Sequence, residues 1–553
     1  MPENLLYFGD NLPILRDHLG DESIDLIYLD PPFNSNRDYN IIFREADLSS
    51  EPPAQVLAFE DTWRWAQQTE AAFDELGDVA SPPLVNMMDG FVSFLGRNDL
   101  TAYLVMLASR LAELRRILKP NGSLFLHCDP TAGHYIKIML DHAFGRDKMI
   151  NQITWKRSSA HSDSKQGAKH MGRISDFIFW YAKGSDWTFN VQYTSYDEEY
   201  TKKSYRYVEE ETGRRYRLDN LTGPGGKRKG NPQYEVMGVT RYWRYSEEEM
   251  DRLVAEGRII QTKPGNVPAY KRYLDEMSGV ELQNVWTDVK PVQSRSKEYL
   301  GYPTQKPRAL LERIILMASN PGDAILDPFC GCGTTISAAE AIGNRHWIGI
   351  DITHLAITEI KDRLNREFPG CQYKVIGEPV SIEGARELAL QNRYQFEWWA
   401  ISLVGARPAG GDPKKGADIG IDGLLYFKDP KTQKRQKVVV QVKSGKIGVR
   451  DVRDFGHVVE REKAAIGLFI TLNEPTQPML AEAAAIGLYK TEMMGTKYNY
   501  PRLQVLTING LLTGQMRPQV PLGTMAGHKR AQKVESRPED FTANMFEADN
   551  TDE

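Results

Sequence analysis

Cysteine is scarce in this chain: Cys128, Cys330, Cys332 and Cys371 are the four in 553 residues. Their spacing makes neither the pair of pairs that holds zinc nor a secreted disulfide framework. Cys330 and Cys332 sit inside a glycine loop, where small residues serve the backbone, and no metal role is expected of them. Long apolar runs are missing as well. No stretch approaches the ~18 residues needed to cross a bilayer, and "MPENLLYFGD" has no basic flank before a hydrophobic segment. A cytoplasmic protein with no membrane partner is expected. Nor is there an overall excess of positive charge, because the formal net charge is −5.

That average hides its distribution. From Glu535 to Glu553 seven acidic residues stand against Arg537 alone, so the rest of the chain is close to neutral. Residues 201–230, "TKKSYRYVEEETGRRYRLDNLTGPGGKRKG", hold nine Lys and Arg against four acids, with three tyrosines between them. Residues 155–173, "WKRSSAHSDSKQGAKHMGR", add five basic residues and two histidines against one acid. Clustered positive charge is what a phosphate-rich partner requires. Solvated loops would show the same composition, so motifs have to decide.

Strand-like and helical runs alternate through the first 150 residues. "SIDLIYL" reads as a buried strand. "TAYLVMLASRLAELRRIL" places Leu104, Leu107, Leu111 and Leu114 at helical spacing, "KPNG" breaks it, "SLFLHCD" is a strand, and "HYIKIMLDHAFG" is a helix closed by Gly145. This is the βαβ rhythm of an α/β sheet. Residues 45–100 carry proline pairs and no clear sheet signal, which predicts an insertion. The rhythm is lost over 185–300 and returns in "RALLERIILMASNPGDAILDPFCGCGTTISAAEAIGNRHWIGIDIT". A further unit follows from about 385 to 515, and 516–553 is predicted to be a disordered acidic tail.

Two strands end on Asp-Pro: "LDPPFN" at Asp30 and "LDPFCGCGTT" at Asp327. Ligands of open α/β sheets bind beyond the carboxyl ends of strands. In the second motif, Gly331 and Gly333 allow a tight turn and a close ligand, and the following helix offers free N–H groups. "WIGID" then ends a strand on Asp351, an acid suited to ribose hydroxyls. The loop lacks the Gly-Lys-Ser/Thr of triphosphate loops and the G-x-G-x-x-G of nicotinamide enzymes. A nucleoside bearing a carboxylate, such as S-adenosylmethionine, fits better. In the first motif, Asp30 can accept a hydrogen bond from the exocyclic amino group of a base. The Pro31-Pro32 turn has no N–H to compete and aims a carbonyl as a second acceptor. Phe33 would stack on a base swung out of its helix.

On these residues the chain resembles the S-adenosylmethionine-dependent amino DNA methyltransferases, in their permuted β-type order. "DPPF" resembles the catalytic tetrapeptide Asp30, Pro31, Pro32 and Phe33. "DPFCGCGTT" resembles the cofactor motif, which implies contacts from Asp327, Phe329, Gly331, Gly333 and Thr334. "TQKP" resembles the segment lining the methionine end, which implies Thr304 and Lys306. "YFGDNLPIL" implies Asp10 near the adenine. The resemblance implies a Rossmann-like methyltransferase sheet over 1–190 and 300–380, with a target-recognition lobe inserted at 190–300. It implies double-stranded DNA as partner, allows a homodimer, and favours N6 of adenine over N4 of cytosine. Tyr39, Trp155, Trp398 and Trp399 are expected to pack, and Lys156 and Arg157 to meet phosphates or bases.

The last unit contains "GIDGLLYF" and "VVVQVKSG", with Gln441 and Lys443 on one strand face. It resembles the Mrr-like branch of the PD-(D/E)xK nucleases, an α/β restriction-endonuclease-like domain over 385–515. By that resemblance Asp422 and Glu397 would hold Mg²⁺, and Lys443 would stabilise charge at the attacked phosphate. Gln441 stands where many relatives carry Glu, which removes one carboxylate. The alternative is an endonuclease or DNA-binding protein whose methyltransferase half serves recognition.

Overall fold

A computed structural model describes residues 3–32, 38–43, 54–60, 65–158, 169, 171–293, 295–302, 304–409, 420–493, 496–521 and 524–525. Every residue of Ile24–Leu29 is buried, as befits a strand covered on both faces. It lies inside a nine-stranded sheet. The order is Lys374–Ile376, Leu5–Phe8, His346–Asp351, Ala324–Asp327, Ile24–Leu29, Leu118–Cys128, Ser175–Ala182, Met149–Lys156 and Val285–Trp286. All neighbours pair in parallel except at Ser175–Ala182, which runs antiparallel to both strands beside it. From Ile24–Leu29 the chain moves outward to Leu118–Cys128. From Ala324–Asp327 it moves the other way, to His346–Asp351. The sheet order therefore reverses between Ile24–Leu29 and Ala324–Asp327, the switch point at which such sheets bind ligands.

The helix Asp99–Ile117 buries Leu104, Leu107, Leu111 and Leu114 completely. It starts on a reciprocal cap, in which Asn98 Oδ1 accepts the Thr101 N–H at 3.1 Å and Thr101 Oγ1 accepts the Asn98 N–H at 2.9 Å. The strand then begins at Leu118 and runs through the Lys-Pro-Asn-Gly stretch expected to separate helix from strand. Within and just before residues 45–100, where no clear sheet signal was expected, the described residues include strand and helix. Asp38–Phe43 and Ala54–Glu60 pair as an antiparallel hairpin, and helices Gln67–Val79 and Pro82–Leu95 follow. Leu84, Met88 and Phe91 give the second helix a buried stripe. Its two prolines open the first turn, where their missing N–H groups have no intrahelical role. One of the proline pairs that predicted an insertion is a helix start.

A second sheet follows, in the order Arg407–Pro408, Gly423–Lys428, Arg435–Lys443, Ile466–Thr471, Leu503–Thr507. Its first three strands pair antiparallel and its last three parallel. Val438, Val440, Val442, Leu468 and Ile470 face one core, and Val439, Phe455, Val459 and Phe469 form another. Both faces of the central strands are thus covered. The tail expected over 516–553 lies outside the described residues from 526 onward.

The chain forms two compact units, Met1–Asn190 with Asn284–Glu553, and Val191–Gln283. The second has an antiparallel sheet ordered Ile259–Ile260, Ala269–Tyr273, Arg215–Asn220, Tyr207–Val208, and a core of Leu221, Trp243, Met250 and Ile259. No helix among the described residues is long and apolar enough to cross a membrane.

Candidate active sites

Four adjacent parallel strands deliver an aspartate at their carboxyl ends. Asp327 and Asp351 close their strands, Asp30 follows Leu29, and Asp10 follows Phe8 and Gly9. Between them lies a cavity of about 250 Å³. Asp10, Asp30, Pro31, Pro32, Thr304, Lys306, Asp327, Phe329, Gly331, Thr334 and Asp351 all line it. Gly333 caps the helix Thr334–Ile342 from the left-handed region instead. Phe33 lies outside the described residues, as does the side chain of Tyr39.

The glycine loop is built by backbone necessity. Gly331 and Gly333 have φ of +49° and +72°, and a Cβ on Gly333 would come within 2.7 Å of Ile360 Cγ1. The Gly331 N–H donates to Asp351 Oδ2 at 2.9 Å, while the Thr353 N–H and hydroxyl both donate to Oδ1 at 2.8 Å. About one lone-pair position, on Oδ2, is left of the roughly four that a carboxylate offers. Asp351 can therefore take one hydroxyl hydrogen more readily than two. Burial pushes its carboxyl up to about 6. Asp327 braces the loop: its oxygens accept the Thr335 hydroxyl at 2.5 Å and the Phe329 N–H at 3.1 Å. Burial pushes it up to about 7. Cys330 and Cys332 are buried, and burial raises both thiols, Cys332 to about 11, so they pack as small apolar groups.

Asp30 is held from the far end of the sequence. The Lys306 ammonium donates to Asp30 Oδ2 and to the Thr304 carbonyl. Among the described residues, Asp30 Oδ1 is buried with no hydrogen-bond partner. An unsatisfied buried acceptor is unfavourable, and it marks where a donor is to be received. Lys306, which the resemblance assigned to the cofactor, thus touches the carboxylate of the catalytic motif.

Further residues were not singled out in the sequence. Asn11 Nδ2 donates to the Pro328 carbonyl at 2.7 Å, and Arg110 donates to Asn11 Oδ1 at 2.5 Å and to Asp10 Oδ1 at 2.7 Å. Asp10 also caps the helix Asn11–His18 through the Leu12 N–H. Tyr28 lines the cavity, and its hydroxyl is 2.9 Å from His127 Nδ1. His127 Nε2 lies 3.2 Å from Asp176, whose other oxygen pairs with Arg157 at 3.2 Å. His127 and Asp176 are buried, and burial raises the Tyr28 phenol with Asp30, Asp327 and Asp176 nearby. Tyr28 precedes Asp30 by two, the strand period, and that was the available signal. Trp155 is buried and donates to the Val289 carbonyl at 2.9 Å.

The second candidate site is differently organised. Asp422 precedes the strand Gly423–Lys428, and its Oδ2 accepts the Val442 N–H at 2.6 Å. Gln441 is buried and Lys443 half-buried on the adjoining strand. Glu397, on the helix Arg393–Ser402, accepts from Arg393 at 2.7 Å. Among the described residues no three His, Cys, Asp or Glu side chains gather to hold a metal. Residues 410–419, just before Asp422, lie outside them. Trp399 is buried, and Trp398 packs beside Tyr302, Cys332 and Leu355.

Comparison with known proteins matches residues 24–362 to a DNA methylase family of N6/N4 type, and 394–492 to a restriction endonuclease family of Mrr type. The chain is 27% identical to Type II methyltransferase M.EcaI of Enterobacter cloacae, over 66% of this chain and 69% of that one. A short segment is 56% identical to DNA adenine methyltransferase YhdJ of Escherichia coli, over 12% of this chain and 23% of YhdJ. Among solved structures, PvuII DNA methyltransferase (cytosine-N4-specific) aligns with 66% of this chain and 87% of its own, at 14% identity and a TM-score of 0.31. The chain belongs to the DNA methylase family of amino-methyltransferases, and it carries an Mrr-type restriction endonuclease domain behind the methylase.

Proposed function

We propose that the chain transfers a methyl group from S-adenosylmethionine to N6 of adenine in double-stranded DNA, as a site-specific enzyme of restriction and modification. Its second domain is assigned as a Mg²⁺-dependent nuclease. One observation carries the first part: Asp30 Oδ1 is a buried acceptor, partnerless among the described residues, in the same cavity as Asp351 and the glycine loop.

The cavity suits the donor. Gly331 lets the backbone approach it with no side chain between, Asp10 and Asp351 offer carboxylate oxygens to the nucleoside, and Thr304, Lys306 and Thr334 offer donors to a carboxylate. S-adenosylmethionine would supply a methyl group activated on a sulfonium. Asp30 Oδ1 accepts one hydrogen of the amino group, and a carbonyl of the Asp30-Pro31-Pro32 turn accepts the other. Together they draw the nitrogen lone pair out of the ring. The amine would keep both hydrogens while the N–C bond forms in line and the methyl–sulfonium bond breaks, leaving a neutral thioether. The cationic methylated nitrogen would then release one proton to Asp30 or water, so the site acts by orientation and charge placement. By the family resemblance, Phe33 stacks on the extruded base.

The Asp-Pro-Pro-Phe motif and the similarity to YhdJ support adenine. In the nuclease domain, Asp422 and Glu397 would hold Mg²⁺ beside Gln441, and Lys443 would face the attacked phosphate; Mg²⁺ needs only one or two carboxylates when phosphate and water complete its shell. The test is transfer of labelled methyl to unmethylated duplex DNA, digested to nucleosides, by wild type and Asp30→Ala. Label in N6-methyladenine that vanishes in the variant supports the reading, and label in N4-methylcytosine moves the substrate to cytosine. No label with Mg²⁺-dependent cutting intact would make the nuclease the main activity.

A further inference from the structure

Basic residues of the unit Val191–Gln283 that look alike in sequence have different circumstances in the fold, and two clusters show the contrast. The first is engaged within the unit. Arg214 binds Asp275 at 2.7 Å and Glu276 at 2.8 Å, and its guanidinium lies 3.8 Å from the Tyr273 ring centre. Arg258 shares Glu276, Arg217 and Arg272 share Asp219, and Lys271 holds Glu209 at 2.8 Å. Hydrogen bonds from Lys271, Thr212 and Tyr273 keep Glu209 down at about 2, and Arg258 does the same for Glu276. These cations cross-link the strands Arg215–Asn220 and Ala269–Tyr273 and the turns beside them.

The second group is Lys227, Arg228 and Lys229. All three are exposed, and none has a carboxylate partner among the described residues. They sit on a single 3₁₀ turn, Gly226–Lys229, bracketed by Gly225, Gly226 and Gly230 at φ of +80°, +50° and +70°. Asn231 Nδ2 ties the turn by donating to the carbonyls of Pro224 and Gly226, each at 3.1 Å. With about three residues per turn, successive side chains point in three directions. The result is a fixed knob with cations around it, not a one-sided stripe. The stretch "GPGGKRKGN" has no aromatic or large apolar side chain. It therefore carries no large apolar side chain to enter a bilayer and meets a partner through charge.

We propose that the Lys227–Lys229 knob is a phosphate contact of this unit on duplex DNA, seated between the two phosphate rows of a groove. The ion-paired Arg214, Arg217, Arg258 and Arg272 are structural. This rests on DNA being the substrate, but not on which base is methylated.

The test uses the full chain and a labelled duplex, with affinity followed by fluorescence anisotropy from about 50 to 200 mM salt. Each phosphate contact contributes about 0.9 to the log–log salt slope, so replacing all three (Lys227→Ala, Arg228→Ala, Lys229→Ala) is expected to flatten it by about 2.7. Arg214→Ala is expected to lower the melting temperature and leave the slope as it was. An unchanged slope in the triple variant, or an equal loss in Arg214→Ala, overturns the assignment. So does equal loss of binding to phosphatidylserine vesicles or to single-stranded RNA, which would make the knob a general anion contact. Methyl transfer is read separately. A flattened slope with no transfer by wild type sinks the methylation reading and leaves the knob standing, and transfer with no slope change does the reverse.

Discussion

Both halves of the larger unit set an aspartate against a strand end, and the two carboxylates have opposite circumstances. Asp30 is clamped through Oδ2 by Lys306 and keeps Oδ1 buried and, among the described residues, unpartnered in the cavity. Asp422 has Oδ2 occupied by the Val442 N–H, and Glu397, its expected companion, is bound to Arg393. A site that works by preorganised hydrogen bonding must hold its vacant acceptor ready before the substrate arrives. A site that works through a metal and a phosphate need not, because those ligands complete it. The difference predicts that the first half tolerates less change at its carboxylate than the second does anywhere but at Asp422.

The largest effect that would break this contrast is at Asp30. Asp30→Ala is expected to lower methyl transfer by about 10³-fold or more, as loss of a central charge-placing contact does, while Mg²⁺-dependent cutting persists. A variant retaining transfer within tenfold would show that the vacant oxygen is not what the reaction uses. In the other half, Asp422→Ala is expected to reduce cutting to the level seen without Mg²⁺ and to leave methyl transfer unchanged. Loss of both activities would mean that the halves do not work separately.

Acidity separates the halves next. Burial raises Asp327 to about 7 and Asp351 to about 6 in the first half. Carboxyls raised above their unfolded value favour the fold below about pH 4, and that contribution is lost as pH rises through 6 to 7. In the second half burial works against Asp429, but the Tyr489 hydroxyl and Thr432 hold it down at about 2. Its contribution is present above about pH 4 and is lost as pH falls toward 2. Asp327→Asn should therefore gain on wild type in thermal stability as pH rises from 5 to 8, by an amount on the order of a few kcal/mol at most. A gap independent of pH would show that Asp327 is not titrating there. The smallest effect concerns two glycines. Gly333→Ala, at positive φ and against Ile360, is expected to cost about 1–3 kcal/mol in denaturant unfolding. Gly445→Ala has open space and should stay within about 0.5 kcal/mol.

How much was legible follows from the range of each interaction. The Asp-Pro strand ends, the glycine loop and the leucine stripe of Asp99–Ile117 are short-range patterns; the first two line one cavity and the stripe is buried in the core. The helix Pro82–Leu95 was obscured because its prolines mean one thing inside a helix and another at its first turn. The Lys306–Asp30 contact spans 276 residues, and no local pattern announces it. The Tyr28, His127, Asp176 and Arg157 line crosses strands whose adjacency depends on sheet order. The basic lobe shows the same limit, since cations counted alike in sequence, such as Arg214 and Arg228, separate into ion-paired and exposed only when partners fold beside them.

The sequence by itself determined which residues could do chemistry and which strands would end on them, because side-chain type, hydrophobic period and the Pro and Gly constraints act within a few residues. Tertiary structure alone decided that Asp30 and Asp327 flank the switch point, that Lys306 occupies one oxygen of Asp30 and leaves the other open, and that Asp351 has little acceptor capacity left. Those outcomes depend on strand order and on hydrogen bonds between distant segments, and each donor or acceptor is settled only when the whole sheet has assembled around it.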